Sequence, residues 1–451
     1  GAGSEPQIPS SGLSDWGIAS WLGRVNYTLM DKYLVTVSGR ADGSSRFSDE
    51  NKWAFFPSAA VAWRISEEAF MQNQNIISSL KFRLSYGKTG NQAVSPYQTW
   101  TKMVATDLSL GDQLHIGYRP GNIANKELKW ETTSQYDIGL DIGVLEGRIR
   151  FVADYFSKNT SDLLARVDLP SSSGYTSSTQ NIGEMKNQGF EIELDAAVLT
   201  GTFKWNSGVN FWKTENEIVK LAKGADVFAP KVDNLIPSVH ILREGYPISM
   251  FYGFIKDGYT EDGITKYKDL NNDGVVDDMD RDFIGNPHPD FQFGWKNNFS
   301  WKGFDVSVFL EGAYGFDIFN ATREWVATSF YKGGNQIVEV YEDHWTPENT
   351  DAKYPKITAK QSFRQSDAWI EDGSYIKIRS ITIGYDLPSD LINWGRSARV
   401  YVSMQNWFTF TDYSWYDPEV STYSSGDLRL GVDKGTYPKA KTISIGFNLG
   451  L

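Results

Sequence analysis

Ten residues, Thr442 to Leu451, read TISIGFNLGL. Ile443, Ile445, Phe447, Leu449 and Leu451 fall on one face of an extended chain, and Thr442, Ser444, Gly446, Asn448 and Gly450 fall on the other. Successive side chains of a strand point to opposite faces, so this strand has one wholly apolar face and one that is polar or very small. A sandwich strand turns such an apolar face inward, whereas a membrane barrel strand turns it outward to lipid. One strand leaves both open. What constrains the fold is that the pattern recurs from one end of the chain to the other.

The same alternation covers 19–29, 33–41, 55–65, 80–87, 137–142, 149–155, 190–198 and 203–211. It continues near 236–243 and 247–258, over 291–301 and 304–314, and near 374–386, 397–410 and 438–451. That makes about 15 strands by period-2 counting. In the stretch 374–386 the apolar face slips from Ile376 and Ile378 to Ile381 and Ile383, which reads as a β-bulge. Residues 88–126 show no clear strand pattern.

Three features favour a barrel over a sandwich. Charges sit in the middle of the polar faces: Asp137 and Asp141, then Glu191, Glu193 and Asp195, and later Glu311. Burying them in a dry core costs several kcal/mol each, whereas a water-filled lumen tolerates them, so they are expected to line a lumen. Aromatics make up 14% of the residues and gather at the ends of the apolar faces, as interfacial girdles do. Connections alternate between short turns, near 30, 72, 145, 200, 244, 302 and 391, and longer loops. The expected fold is therefore all-β: a transmembrane antiparallel β-barrel in the outer membrane, surrounded by its lipid. By strand count and parity the chain reads as the C-terminal portion of a plugged barrel of roughly 22 strands. Residues 1–16 read as an outer loop and 17–451 as barrel, with long outer loops about 88–126, 259–289, 317–372 and 411–437. No apolar run approaches the ~20 residues of a membrane helix. There is no cysteine, and thus no disulfide framework or thiolate site. A net charge of −12 argues against a nucleic-acid partner.

Several stretches resemble SusC/RagA-type TonB-dependent outer-membrane transporters of Bacteroidetes. They are GRVNYTLMDKYLVTVSGRADGSSRF, NKWAFFPSAAVAWRISEE, LKFRLSYGKTGNQ, DYFSKNTSDLL, IGEMKNQGFEIEL, KDLNNDGVVDDMDRDFIGNPHPDF, HWTPENT, IEDGSYIKIRSITIGYDLP and YVSMQNWFTFTDYSWYDPE. The resemblance implies import of oligosaccharides or oligopeptides, not enzymatic catalysis. It also implies an N-terminal plug and further barrel strands, a SusD-like surface lipoprotein as lid, and energy from the TonB complex. Such barrels commonly end in an aromatic residue, whereas this chain ends in Leu451.

The sharpest local motif is DLNNDGVVDDMD, Asp269 to Asp280. It places oxygens at positions 1, 3, 5, 9 and 12 of a calcium loop: Asp269, Asn271, Asp273, Asp277 and Asp280. Gly274 stands at the sharp turn, and Val275 would ligate by its carbonyl. A structural Ca²⁺ is one reading; a loop of Asx-turns held by its own side chains is the other. Trp325, Trp345, Trp369 and Trp415 in the outer loops have the flat faces that stack on sugar rings, with packing against neighbouring loops as the alternative. His115, His240, His288 and His344 lack metal-ligand spacing. Hydrolase and P-loop motifs are absent. Two other readings stay open. One is a secreted carbohydrate-active enzyme or carbohydrate-binding protein with a dockerin-like calcium loop. The other is a passive porin.

Overall fold

The computed structural model describes residues 12–450 except 112, 169–170, 176, 222–223, 234–235, 329–333, 359, 362, 389–396 and 424–427. Thirteen strands form one antiparallel meander in which each strand pairs with the next in order. They are β1 (Ile18–Leu29), β2 (Tyr33–Ser44), β3 (Trp53–Arg64), β4 (Ile77–Asn91), β5 (Glu131–Val144), β6 (Ile149–Asp168), β7 (Ser177–Thr200), β8 (Phe203–Lys220), β9 (Phe291–Trp301), β10 (Phe304–Tyr314), β11 (Tyr375–Asp386), β12 (Ser397–Thr411) and β13 (Thr442–Gly450). Among the described residues, β1 and β13 are each paired on one side.

The count of about 15 expected from alternation is thus corrected to thirteen wall strands among the described residues. The two stretches near 236–243 and 247–258 are not wall strands. Val227–Phe228, His240–Leu242, Met250–Phe254 and Arg281–Gly285 form a separate four-stranded sheet within the connection 221–290. The turn near 244 belongs to that small sheet. Alternation misleads here because successive residues are buried, His240 with Ile241 and Leu242, and likewise Phe251 and Phe254, so both faces are covered by protein. Conversely, 88–126 holds a hairpin, Met103–Leu110 paired with Gln113–Pro120. The bulge in β11 stands where the slip of the apolar face puts it: the pairing with β12 shifts between Ile378 and Ser380.

Connections at one end of the wall are mostly shorter than those at the other, although 65–76 exceeds 45–52 and 169–176. Wall strands join through 30–32, 65–76, 145–148, 201–202 and 302–303 at one end. At the other end the spans are 45–52, 92–130, 169–176, 221–290, 315–374 and 412–441. The short turn expected near 391 and most of the loop 1–16 lie outside the described residues.

The wall has two unlike faces. The apolar face points away from the protein. Phe55 is 64% exposed and Phe190 54%, and Ile138, Leu194, Ile383, Val400 and Val402 are exposed with them. A sandwich would bury such a face, so its exposure across interior strands decides against that fold. Aromatics pair at both ends of this face. Tyr33–Trp63, Phe203–Phe299 and Phe304–Tyr385 lie toward the short turns. Tyr86–Tyr136, Tyr155–Phe190 and Phe291–Tyr314 lie toward the long connections. These are the two aromatic rows of a membrane barrel. Among the described residues no helix is long and apolar enough to cross a membrane.

The long connections are not loose. Val232, Ile236, Val239 and Phe251 from one, Phe319, Ala321, Ala327, Val340, Tyr354 and Trp369 from the next, and Val432 from the last share one buried core. Each large apolar side chain so buried contributes about 1.5–3 kcal/mol. A three-stranded sheet, Ile370–Asp372, Asp317–Asn320 and Val432–Asp433, stitches the last two connections together, with one parallel pairing. Helices α1 (Ala321–Thr328) and α2 (Val338–Glu342) pack into the same core, α2 falling in the stretch IVEVYEDHW. We refer to this compact unit as the loop body.

Candidate functional site: the polar face of the wall and the loop body

Opposite the exposed apolar face, charges pair across strands. Arg83 on β4 reaches Asp141 on β5 at 2.8 Å and Asp154 on β6 at 2.9 Å, and Lys81 adds a 2.6 Å contact to Asp141. Asp137 accepts from Ser85 at 2.9 Å and from Gln135 at 2.6 Å. Arg150 lies 3.2 Å from Glu193 and 3.8 Å from Asp195. Glu311 pairs with Arg379, and Arg399 with Asp305 at 2.6 Å. Glu191 is exposed on the same face, beside a concavity lined by Asp154, Glu193, Asn210 and Trp212. The six acidic residues expected to line a lumen stand on the face opposite the exposed apolar one; Asp141, Glu193, Asp195 and Glu311 are in ion pairs, Asp137 is held by Ser85 and Gln135, and Glu191 is exposed. Residues i and j directly opposite in a sheet can interact, and this is why the acids of one strand meet the bases of the next.

In the loop body the charges are buried instead. Arg323 on α1 is 7% exposed. Its guanidinium donates to Glu339 at 2.9 Å, Glu371 at 3.1 Å, Tyr354 at 2.9 Å and Ser414 at 2.8 Å, so one side chain ties four separate segments. Its neighbour Glu324 is also buried. One of its oxygens meets Gln365 at 3.5 Å, and the other has no hydrogen-bond partner among the described residues. Burial without a cation pushes its carboxyl up to about 8, with Asp233 nearby acting in the same direction.

The Asp269–Asp280 loop is held by its own amides. Asp269 accepts from the Gly274 N–H at 2.8 Å, Asn271 from Asp273 at 2.9 Å and Asp273 from Val275 at 2.8 Å. Gly274 is in the left-handed region, φ +86°, which favours glycine. Asp277 and Asp280 form a capping box, and Asp280 also accepts from Leu270 at 2.7 Å. The Asp277 N–H, donated across that box, lowers the Asp280 carboxyl below its usual value. Among the described residues, no three His, Asp or Glu side chains are grouped to hold a metal. A cation in this loop would lean on Asn271 and the Val275 carbonyl as much as on carboxylates.

The four tryptophans divide. Trp325 is exposed on α1. Trp345 and Trp369 are 6% exposed and belong to the packing of the loop body; Trp345 lies against Gly263, and Trp369 is in the main core. Trp415 is half-buried against Tyr413 and Ile318. The stacking expected of Trp345 and Trp369 is therefore corrected: both rings already have protein on their faces, which residue type alone does not reveal. His240 and His288 donate through Nε2 to the Leu430 and Ile248 carbonyls, 2.8 and 2.7 Å away. No local pattern singles out Arg323 or Glu324, because the side chains they meet lie 16 to 91 positions away.

An antiparallel meander with an outward apolar face, aromatic rows at both edges and connections mostly shorter at one end is the wall of an outer-membrane β-barrel. The chain belongs to the TonB dependent receptor-like β-barrel family, whose model matches residues 3–272. It is 35% identical to TonB-dependent receptor P3 of Formosa agariphila, over 99% of this chain and 47% of that one. It is 32% identical to TonB-dependent receptor SusC of Bacteroides thetaiotaomicron, over 96% of this chain and 43% of that one. Among solved structures, the RagAB peptide importer in its "open-open" state matches with a TM-score of 0.86 and 26% identity, over 100% of this chain and 48% of that chain. The chain spans about half the length of the curated relatives it matches.

Proposed function

We propose that this wall is part of a TonB-dependent importer that carries oligosaccharides or oligopeptides across the outer membrane. The observation that carries the reading is the pairing of a lipid-facing apolar surface with a charged inner face capped at one end by a folded loop body. Charges such as Asp137, Asp141 and Glu193 would line a water-filled lumen, where they cost little. A plug and further strands of the same protein would complete the barrel, a SusD-like lipoprotein would sit over the loop body, and the TonB complex would supply energy. The relatives named SusC and RagAB support this reading, and the family is one of receptors and transporters rather than enzymes. Purification of the native complex in detergent, with mass spectrometry of what co-migrates, tests it. A partner lipoprotein and a single polypeptide about twice this length are expected. A monodisperse 451-residue chain without detergent would sink it.

The substrate class is tested separately, by growth of a deletion strain on defined glycans and on peptides. We also propose that the Asp269–Asp280 loop takes a Ca²⁺ ion. The spacing, the left-handed Gly274 and the convergence of Asp269 and Asn271 on one amide support it. Chelation is expected to raise protease cleavage within 269–280, and cleavage unchanged by chelator would remove the metal.

A further inference from the structure

Within the connection 221–290, a two-stranded ribbon, Lys256–Tyr259 paired with Thr265–Tyr267, leads directly into the Asp269–Asp280 loop. Ribbon, loop and Arg364 from the connection 315–374 line an open cavity of about 670 Å³. That is within the size range of small-ligand sites. Every residue that lines it is among the described ones.

The charges on this cavity do not cancel. Three cations, Lys266, Lys268 and Arg364, line it with two acids, Asp257 and Asp269, in a chain whose net charge is −12. Lys266 is matched by Asp257 at 2.7 Å. Asp269 accepts the Gly274 and Asp273 amides of its own loop at 2.8 and 3.3 Å. Lys268 is exposed. Arg364 is half-buried, and no carboxylate pairs with it among the described residues.

Arg364 is held in place before any ligand arrives. Its guanidinium carbon lies 4.6 Å from the centre of the Phe254 ring and 5.9 Å from that of Tyr267. Phe254 is buried, so the platform under the guanidinium is rigid. Nη1 donates to the Val276 carbonyl at 3.0 Å, and the backbone N–H of Arg364 donates to the Tyr267 hydroxyl at 3.0 Å. Arg281 also stacks on Phe254, at 5.2 Å, but is matched by Asp278 at 2.9 Å. Nε and Nη2 of Arg364 have no acceptor among the described residues, and neither is sealed from solvent. Those two nitrogens are an edge that grips both oxygens of a carboxylate at once. A side chain already fixed loses little freedom when its partner binds.

We infer that this cavity is an anion-binding site, in which Arg364 and Lys268 take a carboxylate of the oligomer that the importer carries and so favour acidic over neutral cargo. That the ligand is cargo rests on the importer reading above; the anion site itself does not. A uronate in a sugar chain and an acidic side chain in a peptide share this chemistry, and the test tells them apart.

The test uses the full-length protein purified in detergent. Titration calorimetry at low salt measures binding of trigalacturonate, triglutamate and neutral maltotriose. At least one acidic trimer is expected to bind about tenfold more tightly than maltotriose, the effect of one added charged hydrogen bond. The tighter of the two names the source, and equal binding means that the carboxylate alone is read. Arg364→Met should weaken the acidic trimer about tenfold and leave maltotriose unchanged. Arg364→Lys keeps the charge without the fork and should recover only part of the loss. Lys268→Gln, at an exposed position, should weaken it about threefold and serves if the Arg364 variants fail to fold. Acidic trimers that bind no better than maltotriose, or acidic binding that no folded variant alters, would overturn the site. Uptake of labelled trimers by cells is scored in parallel. Selective binding without uptake of any trimer would fail the importer reading and leave the site standing; uptake with unselective binding would do the reverse.

Discussion

The wall and the loop body solve the burial problem in opposite ways. The wall leaves Phe55, Phe190 and Ile445 exposed and keeps its charges half-wet in cross-strand pairs. The loop body buries Phe251 and Phe319 completely and takes Arg323 and Glu324 in with them. The wall presents an exposed apolar face on one side and a charged face on the other, whereas the loop body is an ordinary globular core. Equal substitutions should therefore have unequal effects in the two regions.

The largest contrast is expected for aromatic truncation. Phe319→Ala should destabilise the loop body by about 3–5 kcal/mol through transfer loss and cavity formation. Phe447→Ala on the outward face of β13 should cost clearly less, because its ring has no packed protein core around it. Limited proteolysis of the assembled protein against denaturant measures both; equal losses would erase the distinction. Next comes Arg323→Met, which leaves Glu339, Glu371 and Tyr354 without their shared donor and should cost about 3 kcal/mol. The matching wall change, Arg83→Met, should cost about 1 kcal/mol or less, since its pairs are partly exposed and screened by salt.

Titration sharpens the comparison further. The folded-state value of Glu324 lies above its ordinary 4.5, so its neutral form stabilises the loop body, and that contribution is lost as pH rises toward about 8. Protease resistance of the loop body should fall over this range, and Glu324→Gln should flatten the dependence. A profile that Glu324→Gln leaves unchanged would mean that other groups control it.

Legibility follows the same division. Wall strands could be read from sequence because each obeys a local period: residue i says where i+2 points. Even the irregularity at Arg379 was legible, since Ile378 and Ile381 cannot share a face without an extra residue. The loop body has no such code. Ile241 and Phe251 alternate like wall residues yet both are buried, Phe251 in a core assembled from segments far apart in the chain. Whether Trp345 is open or covered depends on Gly263 and Lys356, which no local pattern connects to it. The hairpin 103–120 was missed for a different reason. Leu114, Ile116 and Tyr118 do alternate, but the run is short, is exposed on a ribbon that pairs with no wall strand, and sits inside a long stretch that is otherwise irregular.

The parallel pairing of Phe319 with Val432 has a kinetic consequence. Nearby, Thr322 and Gly435 share a hydrogen bond across 113 positions of chain. Contacts of such long sequence separation form late, because loop-closure entropy is lost before they return any stability. The wall shortens that search by bringing the ends of β10, β11, β12 and β13 side by side. Maturation should therefore run in order, with the membrane-embedded part complete before the cap consolidates, and a chain stalled between the two would display an unfinished hydrophobic surface for quality-control proteases to recognise.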